Sequence, residues 1–196
     1  MRFLTIAALL AAPLALAEPT AREVQDIHLR DFHGKGIVKK EAVAQDAVQR
    51  ICTMSNDRPG TGIAKQLEAD QMRTIVFPSG GMMGDWKSGE RIAQSGRGMT
   101  WSDAAGTPNG GSCYNCHQMA AKEISYGTLG PSLRGFGKQR GSGADSQKYV
   151  YGKIYNAKAY NACSQMPRLG FSGTLTEQQI KDLVAYLLDP ASPVNQ

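Results

Sequence analysis

Cys113-Tyr114-Asn115-Cys116-His117 is a C-x-x-C-H run, and its residue types at this spacing define a specific chemistry. Two thiols three residues apart add across the two vinyl groups of a porphyrin, and the adjacent imidazole then lies beneath the iron as its proximal ligand, so the run is the attachment signature of a c-type haem. A thioredoxin-like redox pair would open a helix in a βαβ setting, and no strand-rich pattern surrounds this one. Half of a zinc site would need more Cys or His at a matching spacing, whereas His28 and His33 lie far upstream and the other cysteines, Cys52 and Cys163, are single. One motif implies one covalent haem c, held by Cys113 and Cys116 with His117 on the iron.

The sixth ligand decides what such an iron does. An open site binds small ligands or does oxygen chemistry, while His/Met ligation raises the potential and suits electron transfer. Among eight methionines, Met119 is too near His117 to reach the opposite face, and Met82 and Met83 lie upstream in a Gly-rich turn. Met166 precedes Pro167 in an irregular stretch, and the proline favours an extended conformation at Met166 that suits a loop presenting a thioether inward. The alternative is a packed loop residue. Cys163 is a rival ligand whose thiolate would lower the potential. Once the motif has used two thiols, Cys52 and Cys163 remain, and the expectation in an oxidising compartment is a disulfide between them, which would add on the order of 4–5 kcal/mol in the chain-entropy account. Free buried thiols or a bond to a partner are the alternatives.

Two helices are predicted to carry this apparatus. Asp85 caps a helix from Trp86 to Gln94, with Gly96 and Gly98 as its stop. Thr176 and Gln179 form a capping box ahead of an apolar stripe of Ile180, Leu183, Val184 and Leu187, ended by Asp189-Pro190. Tyr186 is expected in the core. Upstream, helical periodicity runs from Glu41 to Met54 and from Ile63 to Met72, separated by Arg58-Pro59-Gly60. Thr74 to Pro78 is a short apolar run that suits helix or strand equally. The expected organisation is a leader over 1–17, an extension over 18–84 packed on the main domain, and that domain over 85–196; a flexible arm is the alternative for the extension.

The leader is read from Arg2, the apolar run Phe3 to Leu16, and the small-residue pattern Ala15-Leu16-Ala17. It implies export to the periplasm, with no membrane span after cleavage; an uncleaved anchor is the alternative. The chain has 196 residues, 20% of them charged, and a formal net charge of +5. That length suits one ordinary domain with extensions and excludes a large multi-domain enzyme. Basic residues concentrate late: Arg134, Lys138, Arg140, Lys148, Lys153, Lys158 and Arg168 share their stretch with a single acid, Asp145. With no arginine-rich run, no aromatic-interleaved basic strip and an export signal, the partner expected is an acidic protein rather than nucleic acid.

Helix, C-x-x-C-H, loops, methionine and terminal helix, over residues 85–189, is an order that resembles class I cytochromes c. The resemblance implies an all-α fold in which first and last helices cross. It also implies that Pro131, in Gly127-Thr128-Leu129-Gly130-Pro131-Ser132-Leu133, offers its carbonyl to the proximal His117; a simple turn proline is the alternative. Gly111 to Gln118, Tyr151 to Asn156, Asn161 to Arg168, Gly84 to Glu90 and the ending Thr176 to Val194 resemble the SoxX family, the monohaem subunits of the SoxAX cytochromes of sulfur oxidation. That resemblance implies a SoxA-like partner subunit and reaction, through the complex, with the SoxYZ carrier. Thiosulfate is joined to a cysteine of that carrier as the S-thiosulfonate, and two electrons pass on to a downstream acceptor. With no second haem motif the chain is not a dihaem SoxA, and no residue is assigned as acid, base or nucleophile, so the expected subunit is non-catalytic within an L-cysteine S-thiosulfotransferase. A freestanding cytochrome c carrier, or an open-site haem enzyme or sensor, are the alternatives.

Overall fold

The computed structural model describes residues 18–196; the leader expected over 1–17 lies outside them. Among the described residues the chain is all-α, with seven α-helices, short 3-10 turns and one isolated bridge, Lys35 to Val38. The helices are α1 (Ala21–Asp31), α2 (Ala47–Met54), α3 (Thr61–Met72), α4 (Trp86–Gln94), α5 (Phe136–Arg140), α6 (Ala144–Tyr155) and α7 (Glu177–Leu188). None is long and apolar enough to cross a membrane.

Helices α4 and α7 cross closely because α4 presents almost no side chain at the contact. A Cβ on Gly89 would lie 2.1 Å from the Asp182 carbonyl oxygen and 2.7 Å from Tyr186 Cβ, so only glycine admits this approach. The buried Asp182 carboxylate fixes the entry to α4: its Oδ1 accepts from the Asp85 amide at 3.0 Å and from Gln178 Nε2 at 2.8 Å. Asp85 in turn caps α4, accepting from the Lys87 and Ser88 amides, and the Ser88 hydroxyl and amide hold its carboxyl below the usual range.

At α7 the Thr176–Gln179 capping box is present, and burial extends past one stripe to include Asp182, Ala185, Tyr186 and Leu188. The reason is position: α4, α5, α6 and the C-terminal turn Pro193–Asn195 all pack on α7, so it has no wide solvent face. Asn195 ties two of these elements, donating to the Leu187 and Asp189 carbonyls while accepting from the Gly137 amide.

Three local expectations need correction. Helix α4 ends at an extended Ser95 whose amide donates to Arg91; Gly98 takes a left-handed φ of +96° only three residues later, against Asn109. The stretch from Glu41 is a 3-10 turn (Lys40–Val43), and α2 starts at Ala47, because Asp46 and Gln49 exchange a reciprocal capping box that begins the helix there. Thr74 to Pro78 is neither helix nor strand, although Ile75 is buried in the core. Helices α1, α5 and α6 were not apparent from periodicity.

Candidate haem-binding site

The motif enters from α4. Gly111 donates its amide to the Ile92 carbonyl at 2.8 Å and Ser112 donates to Ser95 at 2.9 Å, which ties the chain to the end of α4. Ser112 takes a left-handed conformation (φ +49°), a strained state costing about 1–3 kcal/mol that the surrounding contacts must hold. Cys113–Asn115 is then one 3-10 turn. Its second residue, Tyr114, points into the core, where its hydroxyl lies 2.5 Å from that of Tyr186 on α7. Burial pushes both phenols above their ordinary range.

The segment 127–133 runs back along the motif. Gly127 donates to the Tyr114 carbonyl, Gly130 to Cys116 and Leu133 to Gln118, each at 2.8 Å. These bonds bring the Pro131 carbonyl to 2.8 Å from His117 Nδ1. A carbonyl can only accept, so Nδ1 carries the proton and Nε2 is left with its lone pair. Gly130 lies against the imidazole itself: a Cβ there would sit 2.2 Å from Cε1. Gly127 is likewise required, since its Cβ would meet the Asn115 carbonyl oxygen at 1.8 Å. In the sequence both glycines stand only as members of the 127–133 segment, and nothing local to them indicated a ring or a backbone as neighbour.

Cys113 and Cys116 are both free thiols and half-buried. Burial raises Cys113 to about 12, so at neutral pH it is held as the thiol. Among the described residues the motif's Cys and His ligand atoms do not form a convergent group of three; the one such group is Cys52, Asp57 and Cys163. This donor set fits thioether attachment with a single imidazole on iron, and does not fit zinc chelation. Ile124 and Leu129, between the motif and Leu133 in sequence, are large apolar side chains left 98% and 90% exposed.

Met166 is half-buried and packs against the apolar cluster that also receives Cys113. Its amide donates to Ser164 Oγ at 3.2 Å. Met119 is fully buried in that cluster. Cys163 is bonded to Cys52, with an S–S distance of 2.07 Å and a Cα–Cα distance of 5.4 Å across 111 residues of sequence. The basic stretch does not form one solvated face. Lys158, 6% exposed, turns inward to donate to the Ala162 and Ser164 carbonyls, and Arg168 pairs with Asp46. Arg134, Lys138, Arg140 and Lys148 remain exposed.

A protein of Aquifex aeolicus (strain VF5) named as an uncharacterized lipoprotein is 37% identical over 162 residues, covering 81% of this chain and 76% of that one. The crystal structure of SoxXA from P. pantotrophus aligns at 27% identity with a TM-score of 0.42, covering 59% of this chain and 89% of that chain. The cytochrome c family profile matches residues 89–189, a span that takes in the Gly89 crossing, the Cys113 turn, the Pro131 loop and Met166. The chain therefore belongs to the cytochrome c family, with the covalent haem c, iron and electron-transfer role that this membership entails.

Proposed function

We propose that this chain is the monohaem electron-transfer subunit of a SoxAX-type complex. The observation that carries the electron-transfer part is the His117–Pro131 hydrogen bond beside two free thiols, which orients one imidazole lone pair at a covalent attachment point. Bound there, the haem supplies one-electron redox chemistry. Cys113 and Cys116 hold it, His117 is its proximal ligand, Pro131 keeps that ligand oriented, and Met166 provides the sixth ligand that gives the site a raised potential. Bonding of Cys163 to Cys52 removes the competing thiolate.

The finer role rests on the sequence segments around the motif and Met166, which resemble the SoxX family well beyond the motif itself. In this reading a SoxA-like subunit joins thiosulfate to the SoxYZ cysteine and this chain accepts the two electrons in turn, passing them to a downstream acceptor. None of its residues acts on the sulfur substrate. A periplasmic location follows from the leader, and the name lipoprotein on the Aquifex relative is in keeping with export.

The ligand assignment is tested by Met166→Ala in the matured protein. The sulfur-to-iron charge-transfer band should disappear, the potential should fall, and the reduced protein should bind carbon monoxide; an unchanged spectrum overturns it. A pull-down from the exported fraction under growth on thiosulfate, with haem staining, tests the assembly. Co-elution of a second haem polypeptide is expected, and recovery of the chain alone favours a freestanding carrier.

A further inference from the structure

The loop 161–168 that presents Met166 is poorly held by itself. Pro167 has no amide to donate, and the loop's own bonds are short-range, from Ser164 to Asn161, from Cys163 to Asn161 Oδ1 and from Met166 to Ser164 Oγ. An irregular segment left to such contacts keeps much of the conformational freedom that folding must remove. What restrains it comes from a part of the sequence a hundred residues away. Cys52, on α2, is bonded to Cys163. Asp46, at the start of α2, pairs with Arg168. Asp57 accepts from Gln165 Nε2 at 3.0 Å, Glu68 on α3 accepts from the Ala162 amide at 3.2 Å, and Gln71 accepts from Arg168 Nη1 at 3.2 Å.

These contacts grip the loop on both sides of Met166. Two of them are rooted in the core, at the buried Cys52 and Gln71, while the Asp57–Gln165 contact lies at the surface. Gln71 and Asn156 are buried and hydrogen-bonded to each other at 3.0 Å, and Asn156 caps the turn that carries the buried Lys158. Lys158 then holds the loop's carbonyls from beneath. Asn56 and Asp57 both take left-handed backbone conformations, one of the few non-glycine pairs suited to it, and this turn is what brings Asp57 to Gln165.

We propose that residues 46–71 are a clamp on the 161–168 loop, holding the Met166 thioether in place and thereby slowing its departure from the iron. The second half of this statement rests on Met166 being the sixth ligand; the first half does not. Asp46, Cys52 and Glu68 are positioning residues and are not part of the attachment motif.

The test uses the full-length, haem-loaded protein with Asp46→Asn, Glu68→Gln and the double variant Cys52→Ala/Cys163→Ala, the last made as a pair so that no free Cys163 thiol reaches the iron. Amide hydrogen exchange over 161–168 should quicken by about tenfold or more in each, the equivalent of about 1.4 kcal/mol, while α4 and α7 keep their protection. Capture of added imidazole by the ferric protein, limited by loss of Met166, should quicken in step. Unchanged exchange in all three overturns the clamp. Faster exchange with unchanged imidazole capture overturns its role in holding the thioether. If the unaltered protein lacks the sulfur-to-iron band, the ligand assignment has failed instead, and hydrogen exchange alone decides the clamp. The single substitutions keep the test valid should the double cysteine variant fail to fold.

Discussion

At the scale of single residues, the site depends on two contacts that allow little variation. Gly130 has the imidazole of His117 where its Cβ would be. Gly130→Ala should push the ring off the Pro131 carbonyl, lowering haem incorporation and changing the potential of what is incorporated; redox titration of the matured variant checks this. Tyr114 and Tyr186 share one buried hydrogen bond. Tyr114→Phe removes it and strands the Tyr186 hydroxyl, at a cost of about 1–3 kcal/mol, whereas Tyr114→Phe/Tyr186→Phe should regain part of that loss in a denaturant-unfolding cycle. Burial holds both phenols above their unfolded value of about 10. Their contribution to stability is therefore complete below that pH and is lost as pH rises through the raised folded values. The double Phe variant should lack this alkaline loss, seen as a flatter dependence of Tm on pH.

Among the elements, the crossing of α4 and α7 sets the frame to which the motif is tied. Gly89 leaves no room between the helices, and the neighbours a methyl group would meet, the Asp182 carbonyl and Tyr186 Cβ, are fixed to the α7 backbone and cannot rotate away. Gly89→Ala should cost about 1–3 kcal/mol by overpacking, measured by denaturant unfolding, with a matching loss of order at Gly111 and Ser112 because both donate to α4. The starts of α4 and α7 were legible in the sequence because an N-cap is chemistry between residues three apart: Asp85 and Ser88, Thr176 and Gln179. Helix α6 was not. Its Gly152 looks like a helix breaker, yet it is there because the Tyr160 hydroxyl occupies the space a Cβ would take, 2.2 Å away, and that neighbour is a fact of packing.

For the molecule as a whole, charge divides into two uses that composition alone merges. Lys158 and Arg168 are committed internally to the Met166 loop, with burial drawing Lys158 below its ordinary value. Burial opposes ionisation of Asp46, but the Gln49 amide and the Arg168 guanidinium outweigh it and hold the carboxyl below its usual range. Lys138, Arg140 and Lys148 stay in solvent and are available for long-range steering. Reversing Lys138 and Lys148 to Glu should slow association with an acidic partner at low ionic strength, and the difference should shrink as salt is raised. Stopped-flow rates across a salt series measure it; equal rates at low salt would assign these charges to solvation alone.

The amino-acid sequence by itself marked out Cys113, Cys116 and His117 as the proposed attachment point and determined the caps that open the two crossing helices, since covalent spacing and capping act within a few residues. Only the tertiary structure decided that the imidazole packs on Gly130, that Tyr114 meets Tyr186, and that, beside the expected Cys52–Cys163 bond, Asp46, Asp57, Glu68 and Gln71 reach the Met166 loop. Those contacts join positions up to more than a hundred residues apart, and no local periodicity encodes them, because what fills each place is a neighbour supplied by another element.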